Sequence, residues 1–552
     1  MYVMSPGVLA PMPRKRSGAG LVAVRFAGEE RTHLMPPGGT LRQAAEALGL
    51  AVGAGCGQAD CCCDLVRVLD GAENLEPPRA KERATLARIG AAADQRLACC
   101  VRVLGPVTVA SPDAAKEIGA GIDALLRTRV DARVRRVVIV GNSIAGNTAL
   151  ERIAALSPGC HVTLIDAEPH GFYNRMAIAQ LIETAAGAET LAYPVPSAPA
   201  ARAPDRRVNT LVRAIEPAAH QVVLATGERL DYDRLLLATG AAAARPRLPG
   251  VDLRGCFALR SADDATAIRG WLQRMPVQQA VVVGAGVLGL EAAESLARCG
   301  VPVQVMESGP GAMPAELLPA AAAVVAEQLA RRGVQIRSGV RLAGIRATED
   351  GTGQVGAVAL ADGGSIPAGL VLFCTGNRPN IALAQAAGLG CGRGILVDDE
   401  MRTSDPHVFA AGDVAELDGR VTGLWEPARQ QAIAAAEAML GLTHHWRPEP
   451  SPMRAKLRCV DLVTLGTLPP LAVRGAEILV SATRGRSWRQ LVLDAEGRIA
   501  AAAFVNAPRW VAAVEAATRV RRDLRPLLEP LREGHWEVLR DAEPASARAE
   551  AA

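Results

Sequence analysis

Lysine is scarce in this chain. Only Lys15, Lys81, Lys116 and Lys456 stand among 61 basic residues, so nearly all positive charge is arginine, a compositional bias and not a chemical signal. No block of single-sign charge occurs and the formal net charge is +4, so nucleic acid is not an indicated partner. No window holds eighteen uninterrupted apolar residues, which argues against a membrane-spanning helix. The stretch after Arg14-Lys15-Arg16 is weakly apolar and broken by Arg25, a poor export signal, and the expectation is a disordered N-terminus on a cytoplasmic protein. Nothing repeats at solenoid periods.

Length and hydrophobic content say what the chain can build. At 552 residues it is too long for one core, and 49% hydrophobic residues support several globular domains. Twelve cysteines are present, six of them in two knots: Cys56, Cys61, Cys62 and Cys63, then Cys99 and Cys100. A disulfide scaffold does not suit a large chain without an export signal. The other six, Cys160, Cys256, Cys299, Cys374, Cys391 and Cys459, are scattered singly and read as small buried hydrophobes.

Two stretches carry nucleotide chemistry. Val137–Val140 reads as a buried strand, Gly141-Asn142-Ser143-Ile144-Ala145-Gly146 as a tight turn into a helix, and Val162–Asp166 as a second strand ending in an acid. Gly141 permits the sharp turn, the helix N-terminus faces a pyrophosphate, and Asp166 accepts from ribose hydroxyls, so the unit suits an ADP moiety. Ser143 stands where the fingerprint has its second glycine. The second stretch is intact: Ala280–Val283, then Gly284-Ala285-Gly286-Val287-Leu288-Gly289, a helix, and a strand ending at Glu307. Glu307 would bond ribose 2′ and 3′ hydroxyls and repel a 2′-phosphate, which favours NADH over NADPH. Strand-to-turn endings follow at Ala238-Thr239-Gly240, Thr375-Gly376 and Gly412-Asp413, and a helix opens near Glu426-Pro427.

The N-terminal part reads as two strands (Leu21–Phe26 and Arg31–Met35), a helix opened by the capping box Thr40–Gln43, a Gly-rich cysteine loop, a strand at Val66–Leu69, and closing pieces at Arg96–Cys99 and Val107–Val109. The apolar face of the helix is Leu41, Ala44, Ala45 and Leu48. Residues 21–110 resemble a plant- or adrenodoxin-type [2Fe–2S] ferredoxin of the β-grasp fold. Cys56 and Cys61 fit its C-x4-C spacing and Cys99 its distant fourth ligand. The third position falls on Asp64, with Cys62 and Cys63 beside it. The resemblance therefore implies a cluster on Cys56, Cys61, Cys63 and Cys99, with Cys62 or Asp64 as alternatives for the third ligand. Cys100 is expected to face away from Cys99, because neighbours on an extended strand point to opposite sides.

From Val137 to about Gly441 the order of motifs resembles the two-dinucleotide-domain flavoprotein reductases of the pyridine nucleotide–disulfide oxidoreductase superfamily. That resemblance implies FAD on the first unit, held by Gly141, Ser143, Gly146 and Asp166, with Thr239 and Gly240 beside it and Gly412 and Asp413 at its ribitol and pyrophosphate. It implies NAD(H) on Gly284, Gly286, Gly289 and Glu307, with Gly376 nearby. No cysteine occurs in Phe172-Tyr173-Asn174-Arg175-Met176, so no redox disulfide stands beside the flavin. The Tyr-Asn-Arg segment is similar to rubredoxin reductases, ferredoxin reductases and NADH-dependent nitrite reductases, which places Arg175 at the cofactor. Met176 stands where those relatives often have Pro, and their nearby Lys is absent.

The expected fold is multidomain α/β and α+β: a disordered start (1–20), a ferredoxin domain (21–110), a linker (111–133), FAD-binding halves (134–250 and 378–445) around an NAD-binding domain (251–377), an α+β C-terminal domain (446–540) and a disordered tail (541–552). The expected function is an NADH-dependent flavin/iron–sulfur oxidoreductase that exchanges electrons with a redox protein or small-molecule partner. It would act as a homodimer or as a subunit of a larger reductase or dehydrogenase complex. No sirohaem or molybdenum signature accompanies it. A cofactor-binding redox sensor without turnover is the reading from another class.

Overall fold

A computed structural model describes residues 21–27, 32–48, 65–79, 82–83, 85–86, 91, 94–110, 126–193, 203–468, 477–483 and 487–539. Cys56, Cys61, Cys62, Cys63 and Asp64 lie outside these residues. So do the N-terminal stretch to residue 20, most of the 111–133 linker and the tail from 541. The chain divides into two compact units, Met1–Gly121 and Ile122–Ala552.

The first unit is one five-stranded sheet crossed by a helix. Strands β1 (Val22–Phe26) and β2 (Thr32–Met35) form an antiparallel hairpin, and α1 (Leu41–Leu48) follows. Thr40 and Gln43 exchange the two bonds of the capping box, at 2.9 and 3.2 Å, which fixes where α1 begins. Strands β3 (Leu65–Asp70), β4 (Gln95–Leu97) and β5 (Val107–Ala110) complete the order β2-β1-β5-β3-β4. The parallel β1–β5 pair sits in the middle of otherwise antiparallel neighbours. Leu41, Ala44, Ala45 and Leu48 are all buried against Val24, Phe26 and Val109, so the helix face read from the sequence is the one that covers the sheet. Buried Arg96 is paired with Glu82 at 2.8 Å, which compensates a charge in this small core.

The second unit is built around two five-stranded parallel sheets and one five-stranded antiparallel sheet, with smaller sheets and ribbons beside them. In chain order its elements are β6 (Arg136–Val140), α2 (Ile144–Leu156), β7 (His161–Ile165), β8 (Asp205–Arg207) and β9 (Arg234–Leu237). Then come β10 (Cys256–Ala258), α3 (Ala262–Arg274), β11 (Ala280–Val283), α4 (Val287–Arg298), β12 (Val303–Met306), β13 (Val334–Arg337) and β14 (Leu370–Phe373). The chain returns through β15 (Val408–Ala410) and α5 (Trp425–Met439), and ends in β16 (Pro452–Arg454), β17 (Leu462–Leu465), β18 (Glu477–Thr483), β19 (Ser487–Leu493), β20 (Ile499–Val505) and α6 (Val511–Arg519).

The sheet orders explain the placement of the glycine turns. One parallel sheet runs β15-β9-β6-β7-β8 and the other β10-β14-β11-β12-β13. In each, the chain leaves the central strand toward one side and later returns on the other, so a crevice opens at the carboxyl end of β6 and of β11. Those strands are continuous apolar runs because both faces of each sheet are covered, one by helices and the other by a small three-stranded antiparallel sheet. The ribbon Ala241–Ala243 with Asn377–Pro379 carries the chain between the two sheets. The last sheet is antiparallel, β16-β17-β20-β19-β18, with α6 packed on it. Among the described residues no helix is long and apolar enough to cross a membrane.

Two expectations need correction. Cys99 and Cys100 lie in the turn after β4, not on it, and their Sγ atoms are 3.5 Å apart, so they share a side; alternation ended with the strand at Leu97. Of the scattered cysteines only Cys160 and Cys256 are buried. Cys374, Cys391 and Cys459 are half-buried and Cys299, the C-cap of α4, is exposed.

Candidate functional site

The first glycine turn is built as its sequence demands. Gly141 has φ +122°, and a side chain there would run into the carbonyl of Ala238 on the neighbouring strand end. Gly146 presses on the carbonyl oxygen of Gly141, so only a hydrogen fits between helix and turn. Ser143 caps α2 in an extended conformation and its hydroxyl makes no capping bond, which leaves the first-turn N–H groups directed outward. Asp166 accepts from the backbone N–H of Asn142 at 2.6 Å and of Glu168 at 2.8 Å. Burial pushes its pKa up, against those two donors.

This turn forms one wall of a cavity of about 500 Å³. Asp166, Arg175, Thr239, Gly240, Gly412 and Asp413 also line it, so most residues assigned to the first nucleotide converge on one space. Gly423, Leu424 and Trp425 bring the N-terminus of α5 to the same wall, where its partial positive charge is directed inward. Gly412 donates its N–H to the buried Gln431 side chain at 2.8 Å, which ties the Gly412–Asp413 corner to that helix. Trp425 also belongs to an aromatic stack, with Tyr193 at 5.3 Å and Phe172 at 6.1 Å between ring centroids.

Arg175 is held by Tyr173 of its own segment and by Glu168, which the sequence did not point to. Its guanidinium bonds Glu168 at 2.7 Å and lies 4.8 Å over the ring of Tyr173, whose hydroxyl donates to the other Glu168 oxygen at 2.8 Å. Burial raises the pKa of Tyr173, so it stays a neutral donor. Arg260 pairs with Asp413 at 2.5 Å and donates through Nε to the Ala241 carbonyl at 2.9 Å. One oxygen of Asp413 is therefore already engaged. Arg260 precedes the capping box Ser261–Asp264 that opens α3, and this fixes its backbone.

The second turn repeats the first with the full set of glycines. Gly284 has φ +104°, with Cys374 carbonyl atoms where its side chain would be, and Gly289 packs on the Gly284 carbonyl. Gly286 differs: a Cβ there would meet nothing within 4 Å, so its surface is open for a ligand. Glu307 accepts from Ala285 N–H at 2.8 Å and Gly309 N–H at 2.7 Å. Gly376, at φ +100°, lies on the crossing ribbon and accepts from Ala244 N–H at 2.9 Å. These residues stand outside the cavity wall, but Val287, Leu288 and Glu291 from the first turns of α4 belong to it. One space thus borders both glycine-turn helices.

Glu291 was missed by sequence reasoning. It is 7% exposed and accepts the backbone N–H of Lys456 at 2.5 Å. Burial pushes its pKa up to about 7. Met453 and Arg454, from β16 of the last sheet, complete the wall. No cysteine lines the cavity among the described residues. The fit to an ADP-containing cofactor is good: two glycine cradles that a Cβ would fill, two helix N-termini and two strand-end acids.

In the first unit, Cys99 is the one assigned cluster ligand within the described residues, in the turn after β4. The backbone carbonyl before it accepts from Arg42 N–H of α1 at 2.9 Å, which anchors that turn to the helix. Among the described residues no cluster of three or more candidate metal ligands forms. The β-grasp frame and thiolate chemistry suit a [2Fe–2S] centre.

Comparison with known proteins agrees with these features. Residues 135–432 match the family described as pyridine nucleotide-disulphide oxidoreductase, and residues 24–104 match the 2Fe-2S iron-sulfur cluster binding domain. The ferredoxin–NAD(+) reductase component of the biphenyl dioxygenase system of Paraburkholderia xenovorans (strain LB400) is 35% identical over 321 residues, 57% of this chain and 76% of that protein. The assimilatory nitrate reductase electron transfer subunit of Bacillus subtilis (strain 168) is 30% identical over 60% of this chain, and this chain spans only 43% of its length. The solved covalent complex of putidaredoxin reductase with putidaredoxin superposes with a TM-score of 0.64 at 27% identity, covering 71% of this chain and 95% of that chain.

Proposed function

The chain belongs to the pyridine nucleotide-disulphide oxidoreductase family and carries a 2Fe-2S domain ahead of it, and from that premise we propose how its residues move electrons. It is an FAD-dependent NAD(P)H oxidoreductase that moves electrons between NADH, FAD and a [2Fe–2S] cluster. When bound, FAD would supply two-electron chemistry toward NADH and one-electron chemistry toward the cluster.

The finer assignment follows the geometry. Gly141, Ser143, Gly146 and Asp166 hold the ADP half of FAD, with Asp166 on the ribose. Thr239 and Gly240 lie beside it, and Asp413 offers the oxygen not taken by Arg260 to the ribitol chain. Arg175 supplies fixed positive charge on the same wall. The N-terminus of α5 faces the same cavity and would offer partial positive charge to a flavin held there. Gly284, Gly286, Gly289 and Glu307 hold NADH, with Glu307 selecting against a 2′-phosphate and Gly376 close by. Cys56, Cys61, Cys63 and Cys99 hold the cluster. With no cysteine on the described cavity wall, a dithiol relay has no residues to run on, and electrons leave singly toward a redox protein.

The observation that carries this reading is the shared cavity, walled by the Gly141 turn on one side and by the first turns of α4 on the other. Such a space would let nicotinamide and flavin meet, as hydride transfer requires. The test is composition and turnover of the purified full chain. One FAD and two iron with two acid-labile sulfide per chain, and reduction of a dye acceptor by NADH, are expected. Bound flavin that supports no dye reduction would favour a sensor without turnover. The similarity to an electron transfer subunit in Bacillus subtilis supports a second reading, in which the terminal acceptor sits in another chain. Copurification of a larger reductase would select it.

A further inference from the structure

Between β16 and β17 the chain forms a short strap, and three of its backbone N–H groups donate to one helix. Lys456 N–H donates to Glu291 at 2.5 Å, and Arg458 and Cys459 donate to the two oxygens of Glu294 at 2.7 and 2.9 Å. Both acids sit three residues apart on α4 and are buried, at 7% and 5% exposure, among Leu290, Ala292, Ala293 and Leu296. A buried carboxylate is costly unless its oxygens accept hydrogen bonds, and an apolar residue would pack this helix face without that cost. What the acids provide and an apolar residue would not is a fixed position for the strap.

That position has a consequence for the cavity. The strap follows directly on Met453 and Arg454, which form part of the cavity wall. Arg454 is locked from the other end of the strap by Asp461 at 2.8 Å. Arg458 also approaches Glu183 at 3.6 Å, at the end of the short helix that begins with Arg175. The helix that receives the strap is the one whose N-terminus opens at Gly286. One helix therefore borders the second glycine turn at its start and holds a piece of cavity wall one turn later.

We infer that Glu294 is a positioning residue for hydride transfer: through the 456–459 strap it sets where Met453 and Arg454 stand against the flavin. This rests on the reading that the cavity holds FAD facing NADH. Glu294 does not line the cavity, so its influence runs through the strap. Glu294→Gln keeps the shape but turns one acceptor into a donor facing a backbone N–H, which releases one side of the clasp.

The test is anaerobic rapid-mixing reduction of the full chain by NADH, with FAD content and NADH affinity measured on the same samples. Wild type, Glu294→Gln and Met453→Ala are compared. Glu294→Gln is expected to keep its FAD and its NADH affinity within about twofold, to shift the visible absorption of the bound flavin, and to be reduced roughly fivefold or more slowly. Met453→Ala, which alters the wall directly, is expected to reproduce the slow reduction and the shift. A Glu294→Gln protein reduced within twofold of the wild-type rate would overturn the inference. So would loss of FAD in parallel with rate, which marks a purely structural role. Wild-type flavin left oxidised by NADH would overturn the underlying reading as well.

Discussion

Gly284 and Gly286 stand two residues apart in one turn and are expected to respond to alanine in opposite ways. Gly284 lies at φ +104° against the Cys374 carbonyl, so alanine there strains the backbone and lowers thermal stability. Gly286 has φ −69° and open space, so Gly286→Ala leaves stability unchanged. Its methyl group occupies the path of a pyrophosphate instead, and KM for NADH is expected to rise about tenfold with FAD content intact. Steady-state kinetics and thermal denaturation on both variants separate the two roles. Glu291 supplies a pH signature. Its pKa is raised to about 7, so the native protein keeps a proton that the unfolded chain releases. Its contribution is present below the ordinary glutamate pKa and is lost as pH rises through 7, a span of at most about 3 kcal/mol. Glu291→Gln removes the titration, so calorimetry at pH 5 and pH 8 should find a smaller loss of Tm in the variant; an unchanged loss contradicts the assignment. These residues were unequally legible. Gly141, Gly284 and Glu307 announce themselves by type and spacing. Arg260 did not, because one arginine among so many carries no contrast and its partner Asp413 lies 153 residues away. Glu291 meets Lys456 across 165 residues, a contact that only the fold creates.

Elements were more legible than contacts. The capping box at Thr40 and Gln43 and the apolar face of α1 are local signals, and each stands where its residues placed it. The strand–glycine–helix units were readable for the same reason: strand burial, a positive-φ glycine and a helix N-terminus all lie within thirty-odd residues. The Cys99–Cys100 pair misled because alternation applies only while a strand lasts, and β4 ends at Leu97. The strap between β16 and β17 was illegible: its backbone is satisfied by side chains of a distant helix, and no local pattern signals that. The cysteine loop remains a matter of chemistry. Among Cys62, Cys63 and Asp64, the assigned third ligand is Cys63. Cys63→Ala is expected to lose iron and acid-labile sulfide while Asp64→Ala and Cys62→Ala retain them, with FAD content equal in all three. Loss only in Asp64→Ala would indicate an oxygen ligand instead.

At the scale of the whole molecule, two parallel sheets reverse their strand order beside β6 and β11, and that topology brings two glycine-turn helices to one cavity. The two sheets were legible as repeated motifs; the docking of the last sheet against α4, which adds Met453 and Arg454 to the wall, was not. Nucleotide preference follows from the second sheet. Glu307→Ala removes the acid expected on the ribose hydroxyls, and the kcat/KM ratio of NADH to NADPH should fall by tenfold or more, about 1–3 kcal/mol of discrimination. An unchanged ratio would move the specificity determinant elsewhere. The central claim is that one polypeptide takes a hydride from NADH at this cavity and passes single electrons to its own iron–sulfur centre. An anaerobic titration of the full chain with NADH, followed by optical absorption and by electron paramagnetic resonance on the same samples, tests it most directly. The expected result is loss of oxidised-flavin absorbance together with growth of the signal of a reduced [2Fe–2S] cluster. Flavin absorbance that persists in excess NADH would contradict it.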